Sequence, residues 1–135
     1  MAAAAFKFVI VAAVAAAACT SMAVDARSFA GTRWHVTAVN GRPTPAKGDY
    51  RIEFRNGEIG GRFGCNSFGG RITVRGEVLT AGTIVATQMG CAAPAESFES
   101  AGFAILNRPM RWQWRAGLKM TLSNSAGSIA LERLP

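Results

Sequence analysis

Short runs of alternating apolar and polar residues, each ended by a turn signal, recur along the chain from Phe29 onward. Alternation at period 2 is typical of β-strands, whose successive side chains point to opposite faces. Asn56-Gly57, between two of the runs, is the strongest short signal for a hairpin. This pattern predicts about seven strands, mostly antiparallel neighbours. The residues predicted to face inward are, run by run, Thr32, Trp34 and Val36; Tyr50, Ile52 and Phe54; Ile59, Gly61 and Phe63; Ile72 and Val74; Trp112 and Trp114; Leu118, Met120 and Leu122; and Ile129 and Leu131.

The segment between Ala93 and Asn107 departs from this alternation. Its apolar residues recur at helical spacing, and a proline suits the first turn while another ends the helix. These residues are Phe98, Ala101, Ile105 and Leu106, with Pro94 at the start and Pro109 beyond the end. A chain of 135 residues has room for one domain. The predicted fold is therefore mainly β (α+β): a small antiparallel sheet or open barrel with one amphipathic helix.

The first 18 residues have the composition of a secretory signal peptide. All are apolar except Lys7, and the apolar run from Phe8 to Ala18 is 11 residues long. A membrane-spanning helix needs about 20 residues. We therefore predict a cleaved signal peptide over residues 1–18, a short linker over residues 19–28 and a soluble domain over residues 29–135.

The end of this segment, Ala16 to Thr20, resembles a bacterial lipobox, in which the cysteine becomes the lipidated first residue of the mature protein. Lipidation at Cys19 predicts a protein anchored to the outer membrane and facing the periplasm, since Thr20 is not aspartate. The alternative is cleavage after Ala26, where Val24-Asp25-Ala26 has small residues at suitable spacing, which would leave a periplasmic protein.

Export also decides how the other two cysteines are interpreted. In an oxidising compartment, Cys65 and Cys91 are expected to form a disulfide. Closing a loop of 26 residues would remove unfolded-chain entropy worth about 3.5 kcal/mol. The alternative is two buried free cysteines that act as small hydrophobic residues.

The sequence offers little for catalysis. Its one histidine, His35, would have to be the base of any nucleophilic mechanism. Ser67 lacks the preceding glycine of a nucleophile elbow, because Cys65 stands there. Zinc-binding pairs of cysteine or histidine and nucleotide-binding glycine loops do not occur in the sequence. We therefore predict no catalytic residues, no metal and no cofactor.

The formal net charge is +7, and loss of Lys7 with the signal peptide would lower it to +6. Many of the arginines fall on the outward faces of the predicted strands. In an exported monomer they favour anionic envelope components, such as lipopolysaccharide phosphates or phospholipid headgroups, or another envelope protein. Export argues against nucleic acid. The alternative is a solvated surface that discourages edge-to-edge aggregation. The outward arginines are Arg33, Arg51, Arg55, Arg62, Arg71, Arg75, Arg111 and Arg115.

Three motifs resemble one known family. They are Gly31 to Trp34 at the first strand, Gly64-Cys65-Asn66-Ser67-Phe68-Gly69-Gly70 after the third, and Thr87-Gln88-Met89-Gly90-Cys91 before the helix. Together they are similar to the META domain, the family of the bacterial heat-shock lipoprotein HslJ, over residues 29–135. The resemblance implies a small β-rich module with a helix, frequent in exported lipoproteins, with no established enzymatic activity or cofactor.

The motif residues also have a physical interpretation. Gly64, Gly69 and Gly70 around Phe68 indicate a tight connection with positive φ angles, and Asn66 can bond nearby backbone. Thr87 can tie a loop end. The functional alternative is a polar cleft lined by Asn66, Ser67 and Thr87, and the motif residues that we single out for possible binding are Asn66, Ser67, Phe68, Thr87 and Met89.

Together these observations predict a non-enzymatic exported lipoprotein that supports envelope tolerance of heat and antibiotics by binding an envelope component. The first alternative is an interaction module or inhibitor of a secreted enzyme. The second is a small periplasmic hydrolase.

Overall fold

Eight antiparallel strands close into a barrel, and one helix covers one end of it. The computed structural model describes residues 29–135 and, before them, Ala13 alone. The predicted signal peptide, the linker over 19–28, the lipidation site Cys19 and the alternative cleavage site after Ala26 lie outside the described residues. The elements are β1 (Thr32–Val39), β2 (Arg42–Pro43), β3 (Tyr50–Arg55), β4 (Glu58–Phe63), β5 (Ser67–Arg75), β6 (Val78–Ala81), β7 (Val85–Ala86), α1 (Ala95–Leu106), β8 (Met110–Arg115), β9 (Lys119–Asn124) and β10 (Gly127–Arg133).

The pairing order around the barrel is β10-β9-β8-β6-β5-β4-β3-β1, and β1 returns to β10. Trp34 faces Arg133 and Val39 faces Ile129 across this closing pair, with a register shift between Val36 and Ala38. β2 pairs only with β1, and β7 only with β5, so both lie beside the barrel. The predicted β-rich fold with one helix is confirmed, and the sheet is closed.

The predicted number of about seven strands is too low, because ten are present between residues 29 and 135. β2 and β7 have two residues each, too few to show a period. β6 has four residues, of which only Leu79 is fully buried. Such short strands carry no alternation that sequence reasoning can detect.

The barrel interior is filled by the side chains that alternate inward along each strand. Burial of such apolar surface is the main favourable term in folding. The largest fully buried side chains are Trp34, Phe29, Phe54, Phe63, Ile52, Leu79, Ile105, Leu106, Met110, Met120, Leu122 and Ile129.

Different residues close the two ends of the barrel. Helix α1 covers the end where β3 begins, and the rings of its Phe98 and of Tyr50 lie 5.5 Å apart at their centroids. The predicted helix is thus confirmed, and its buried residues are Phe98, Gly102, Ile105 and Leu106. Phe29 closes the other end, where it packs on Phe54 at 5.1 Å and edge-on to Trp112 at 5.5 Å. The chain therefore enters the barrel at the end opposite to α1.

Two predicted inward residues are exposed. Trp114 keeps 52% of its surface exposed and Leu118 keeps 68%. Trp114 lies at the end of β8, where it contacts the ring of Trp34 at 5.6 Å but faces open space beyond. Leu118 lies in the turn before β9, with φ at +57°. Both lie at the limits of their strands, where the barrel interior has ended.

The predicted glycine connection is only partly correct. Gly64 has φ at +91°, and a Cβ there would collide with the Tyr50 ring. Gly69 and Gly70 instead lie inside β5, which begins at Ser67. In residues 29–135, no helix has the length and apolar character that crossing a membrane requires.

Candidate functional site

The turn between β4 and β5 is cross-linked to the segment that precedes α1. Cys65 of the turn and Cys91 of that segment form the predicted disulfide, with their Cα atoms 5.9 Å apart. This bond joins the barrel wall to the helix that covers its end.

Asn66, beside the disulfide, bonds to the same segment and to the helix. Its side chain is 4% exposed. Its backbone N–H donates to Glu99 Oε2 at 2.8 Å and its Nδ2 donates to Glu99 Oε1 at 2.8 Å. Nδ2 also donates to the carbonyl of Met89 at 3.2 Å, while Oδ1 accepts from the Met89 N–H at 2.8 Å. Every polar atom of this buried amide has a partner, as burial requires.

Thr87 completes the cluster, which we call the Asn66 cluster (Cys65, Asn66, Thr87, Cys91 and Glu99). Its hydroxyl donates to Asn66 Oδ1 at 3.0 Å and accepts from the Ser67 N–H at 3.1 Å. The polar groups of the cluster thus bond mainly to one another, and Asn66 and Thr87 hold the segment before α1 against the start of β5. The bonds from Asn66 to Glu99 hold α1 over the barrel.

Sequence reasoning did not identify the role of Glu99. The available signal is its spacing, since Glu99 precedes the buried Gly102 by three residues and the buried Leu106 by seven. Those intervals put it on the edge of the buried face.

The ligand atoms of Cys65, Cys91 and Glu99 lie within 4.8 Å of one another. Thiolates bind metals, whereas sulfur in a disulfide has lost that charge. While Cys65 and Cys91 form the disulfide, the Glu99 carboxylate is therefore the one group of the three that could bind a metal ion.

A groove of about 750 Å³ lies on the outer wall of the barrel, over β3, β4, β5 and the strand β7 beside them. Gly60 faces Gly69 across β4 and β5, and the next residues along this row are Glu53 on β3 and Val85 on β7. Because the two central residues have no side chains, the backbone forms the floor. We call this feature the glycine groove. Its remaining lining includes Arg51, Ser67 and Phe68 towards one end and Arg55, Glu58 and Arg71 towards the other.

The charges around the glycine groove are only partly paired. Arg51 contacts Asp49 and bonds Glu53 at 2.9 Å. Arg55 lies 3.6 Å from Glu53 and keeps 75% of its side chain exposed. Arg71 faces Glu58 across the sheet, but neither makes an ion pair with any described residue. Arg55 and Arg71 therefore present guanidinium groups to solvent at one end, and such planar forks bind phosphate or carboxylate.

The predicted site residues are split between the two features. Asn66, Thr87 and Met89 belong to the segment bonded around the Asn66 cluster, whereas Ser67 and Phe68 line the groove. The groove's floor escaped sequence reasoning. The signal was glycine at outward positions of a strand pattern, which marks a place where another group can approach the backbone closely.

Ser67 and His35 are too far apart for a nucleophile and its base. They occupy the same row of the sheet, and Arg51 and Arg62 stand between them. Three strand spacings separate them by about 14 Å. His35 Nδ1 donates instead to the carbonyl of Tyr50 at 3.0 Å.

The META domain matches residues 27–133, nearly all of the part that forms the barrel and its helix. The chain belongs to the META domain family. The motifs that begin at Gly31, Gly64 and Thr87 therefore correctly indicate the family. The structure brings the second and third of these motifs together around the Asn66 cluster.

Two solved structures share the fold. One, an NMR structure, has a TM-score of 0.70 at 23% identity and covers 81% of this chain and 94% of its own. Another, the NMR structure of a protein from Burkholderia xenovorans, has a TM-score of 0.66 at 22% identity and covers 81% of this chain and 86% of its own. Among curated proteins, none matches the chain significantly.

Proposed function

We propose that this META domain protein is an exported, non-enzymatic lipoprotein that supports envelope stress tolerance by binding an anionic envelope component in the glycine groove. The observation that carries the proposal is the groove's floor of Gly60 and Gly69, with the largely exposed guanidinium group of Arg55 and the unpaired one of Arg71 at one end. A flat floor admits a ring or a headgroup, and the arginines hold its phosphate or carboxylate.

The lipid anchor and the export signal in this proposal are supported by the sequence of residues 1–20. Lipidation predicts that the mature protein partitions into detergent and that Cys19→Ser partitions into water. A wild-type protein that is soluble and begins at Arg27 would instead indicate cleavage after Ala26.

Binding is tested with purified lipopolysaccharide as the probe. Gly69→Val fills the floor without strain, because the nearest atom to a Cβ there is 3.7 Å away. Its matched control is Thr73→Val, at an exposed position of β5 outside the groove. Arg71→Gln removes one guanidinium, with Arg75→Gln as its control on the same strand.

We expect each groove variant to weaken binding about tenfold, as loss of one charged contact or of the floor should cost on the order of 1.4 kcal/mol. The two controls should change affinity little. Equal affinity of the wild type and all four variants would show that lipopolysaccharide does not bind in the glycine groove. A deletion strain that grows normally under heat and antibiotic stress would contradict the stress role.

The groove also carries Glu53 and Glu58, so its charge is mixed. This observation favours the second candidate, an interaction module for a secreted enzyme, since peptides present both signs of charge. Cross-linking in envelope fractions separates the two candidates: capture of one exported enzyme supports the second.

A further inference from the structure

Exposed apolar side chains gather at the end of the barrel opposite to α1. Trp114 is the last residue but one of β8, Leu118 lies in the following turn, and Leu134 follows β10, with exposures of 52%, 68% and 38%. We call this surface the barrel mouth (Trp114, Leu118, Leu134 and the basic residues beside them). A soluble surface normally carries such residues singly, so a group at one end marks an interaction site.

The contacts show that these residues adjoin one another. The Arg133 N–H donates to the carbonyl of Leu118 at 2.9 Å, and the Leu134 N–H donates to the carbonyl of Arg33 at 2.8 Å. The Arg133 guanidinium lies 5.7 Å from the centre of the Trp34 ring, and that ring contacts Trp114.

Leu118 is held in an unfavourable conformation. Its φ is +57°, and the preceding Gly117 is at +72°. Turns of this kind normally place glycine or asparagine at such positions, because a bulky side chain is strained there. The turn nevertheless has an exposed leucine as its last residue, which agrees with a use for that side chain in solvent.

The side chains around the barrel mouth are mainly basic. Arg115 and Lys119 face each other across the β8–β9 hairpin, and Arg133 follows Glu132, the partner of Lys119 on β10. Arg33 is bonded to the segment after β10, since its guanidinium donates to the carbonyl of Pro135 at 2.9 Å. Two acids face these basic residues: Glu132 faces Lys119 from β10, and Glu53 faces Arg33 from β3. Exposed tryptophan and leucine beside arginine and lysine is the composition that anchors proteins at a membrane interface.

The position at which the chain enters the barrel also supports a membrane contact at the barrel mouth. Phe29, the first residue of the described domain, packs at this end, on Phe54 and Trp112. If Cys19 is lipidated, as the proposed function requires, the nine residues between Cys19 and Phe29 can span at most about 30 Å. The end of the barrel that lies nearest the bilayer is then the barrel mouth.

We propose that the barrel mouth docks on an anionic phospholipid surface, with Trp114 and Leu118 at the boundary between headgroups and acyl chains and the basic residues on lipid phosphates. A basic apolar patch binds an anionic lipid surface in addition to any lipid anchor on the chain. Docking also orients the protein, because the glycine groove on the barrel wall stays exposed to the periplasm.

The experiment uses tryptophan fluorescence of the mature protein with vesicles that carry brominated lipids, either zwitterionic or rich in phosphatidylglycerol. Trp34 is buried and Trp112 is 7% exposed, so Trp114 is the tryptophan that reports contact. We expect severalfold stronger quenching in anionic vesicles, its loss in Trp114→Phe, and a docking constant that falls about fivefold for each charge removed by Arg115→Gln or Lys119→Gln.

Leu118→Asp should abolish quenching, whereas Ala104→Asp, at an exposed position of α1, should leave it unchanged. Circular dichroism verifies that each variant is folded. A lipidated protein whose Trp114 is not quenched overturns docking but keeps the anchor. An unlipidated protein that is quenched only in anionic vesicles supports docking and contradicts the anchor. Equal quenching in both vesicle types overturns the anionic surface as the partner.

Discussion

Asn66 and Glu99 are joined by two hydrogen bonds of 2.8 Å, one from the asparagine backbone and one from its side chain. The two residues are 33 positions apart, so these bonds tie the β4–β5 turn to the helix. The pair is one of the points at which the helix is held over the barrel, together with the bond from Asn124 Nδ2 to the carbonyl of Ile105 at 2.9 Å.

Replacing this amide by a carboxylate should break the pair. Asn66→Asp keeps the size of the side chain, but it replaces the Nδ2 donor by an acceptor and places two carboxylates together. We expect the free energy of unfolding to fall by about 2–4 kcal/mol, measured by urea denaturation. Adding Glu99→Gln supplies a donor and should recover part of the loss. Glu96→Gln, in the first turn of α1, should change stability by less than about 0.5 kcal/mol.

The disulfide should contribute a large part of the stability of the domain. Reduction, or the pair Cys65→Ser and Cys91→Ser, should lower the free energy of unfolding by about 3.5 kcal/mol, because a closed loop of 26 residues restricts the unfolded chain. Urea denaturation with and without reductant measures this. Non-reducing mass analysis should find the protein two hydrogens lighter than its sequence. Two thiols that react without denaturant would contradict the bond.

Gly102 should resist replacement by alanine although it lies in a helix. A Cβ at this position would come within 2.5 Å of the Phe63 ring, which is fully buried and stacked on Phe68. Alanine normally gains about 1 kcal/mol over glycine in a helix. We nevertheless expect Gly102→Ala to lower the melting temperature, because Phe63 has nowhere to move.

The control for that prediction is Ala104→Gly, at an exposed position of the same helix, which should lose only the helix propensity. A Gly102→Ala protein that melts at a higher temperature than the wild type would show that the Phe63 ring moves to make room for the added methyl group.

Tyr50 should make the protein sensitive to alkali. Burial raises the pKa of Tyr50 above its usual 10.0, and the positive charge of Arg42 opposes part of that rise. A raised pKa means that the folded state favours the neutral phenol. The stability that the neutral Tyr50 phenol contributes is complete below pH 10 and is lost as the pH rises through the pKa of Tyr50 in the folded protein.

This prediction is simple to measure because Tyr50 is the single tyrosine of the chain. Phenolate absorbance should rise at higher pH in the folded protein than in urea. The stability of Tyr50→Phe should decline less steeply above pH 10 than that of the wild type. Identical titration of the folded and unfolded protein would contradict it.

Sequence reasoning predicts strands well where large inward residues alternate around a clear turn. β3 and β4 satisfy both conditions, with Asn56-Gly57 between them. Alternation gives the face of a side chain, but it does not give the depth along the barrel axis. Trp112 and Trp114 share a face, yet only Trp112 lies below the layer that Phe29 closes.

The candidate sites depend on contacts between distant parts of the chain. Asn66 is predicted to bond nearby backbone, but its partners Met89 and Glu99 are 23 and 33 residues away. The glycine groove exists because Gly60 and Gly69 face each other across two strands, a register that neither residue reveals alone. Motif residues can be located from the sequence, whereas their partners follow from the barrel's pairing.

The seam between β1 and β10 sets the order in which this protein can be completed. Trp34 faces Arg133, so β1 gains its second neighbouring strand only from residues near the other end of the chain. Until β10 has been synthesised and has paired, β1 keeps one row of backbone donors and acceptors unpaired. Chaperones that bind unpaired strands should therefore recognise β1 until the last strand arrives.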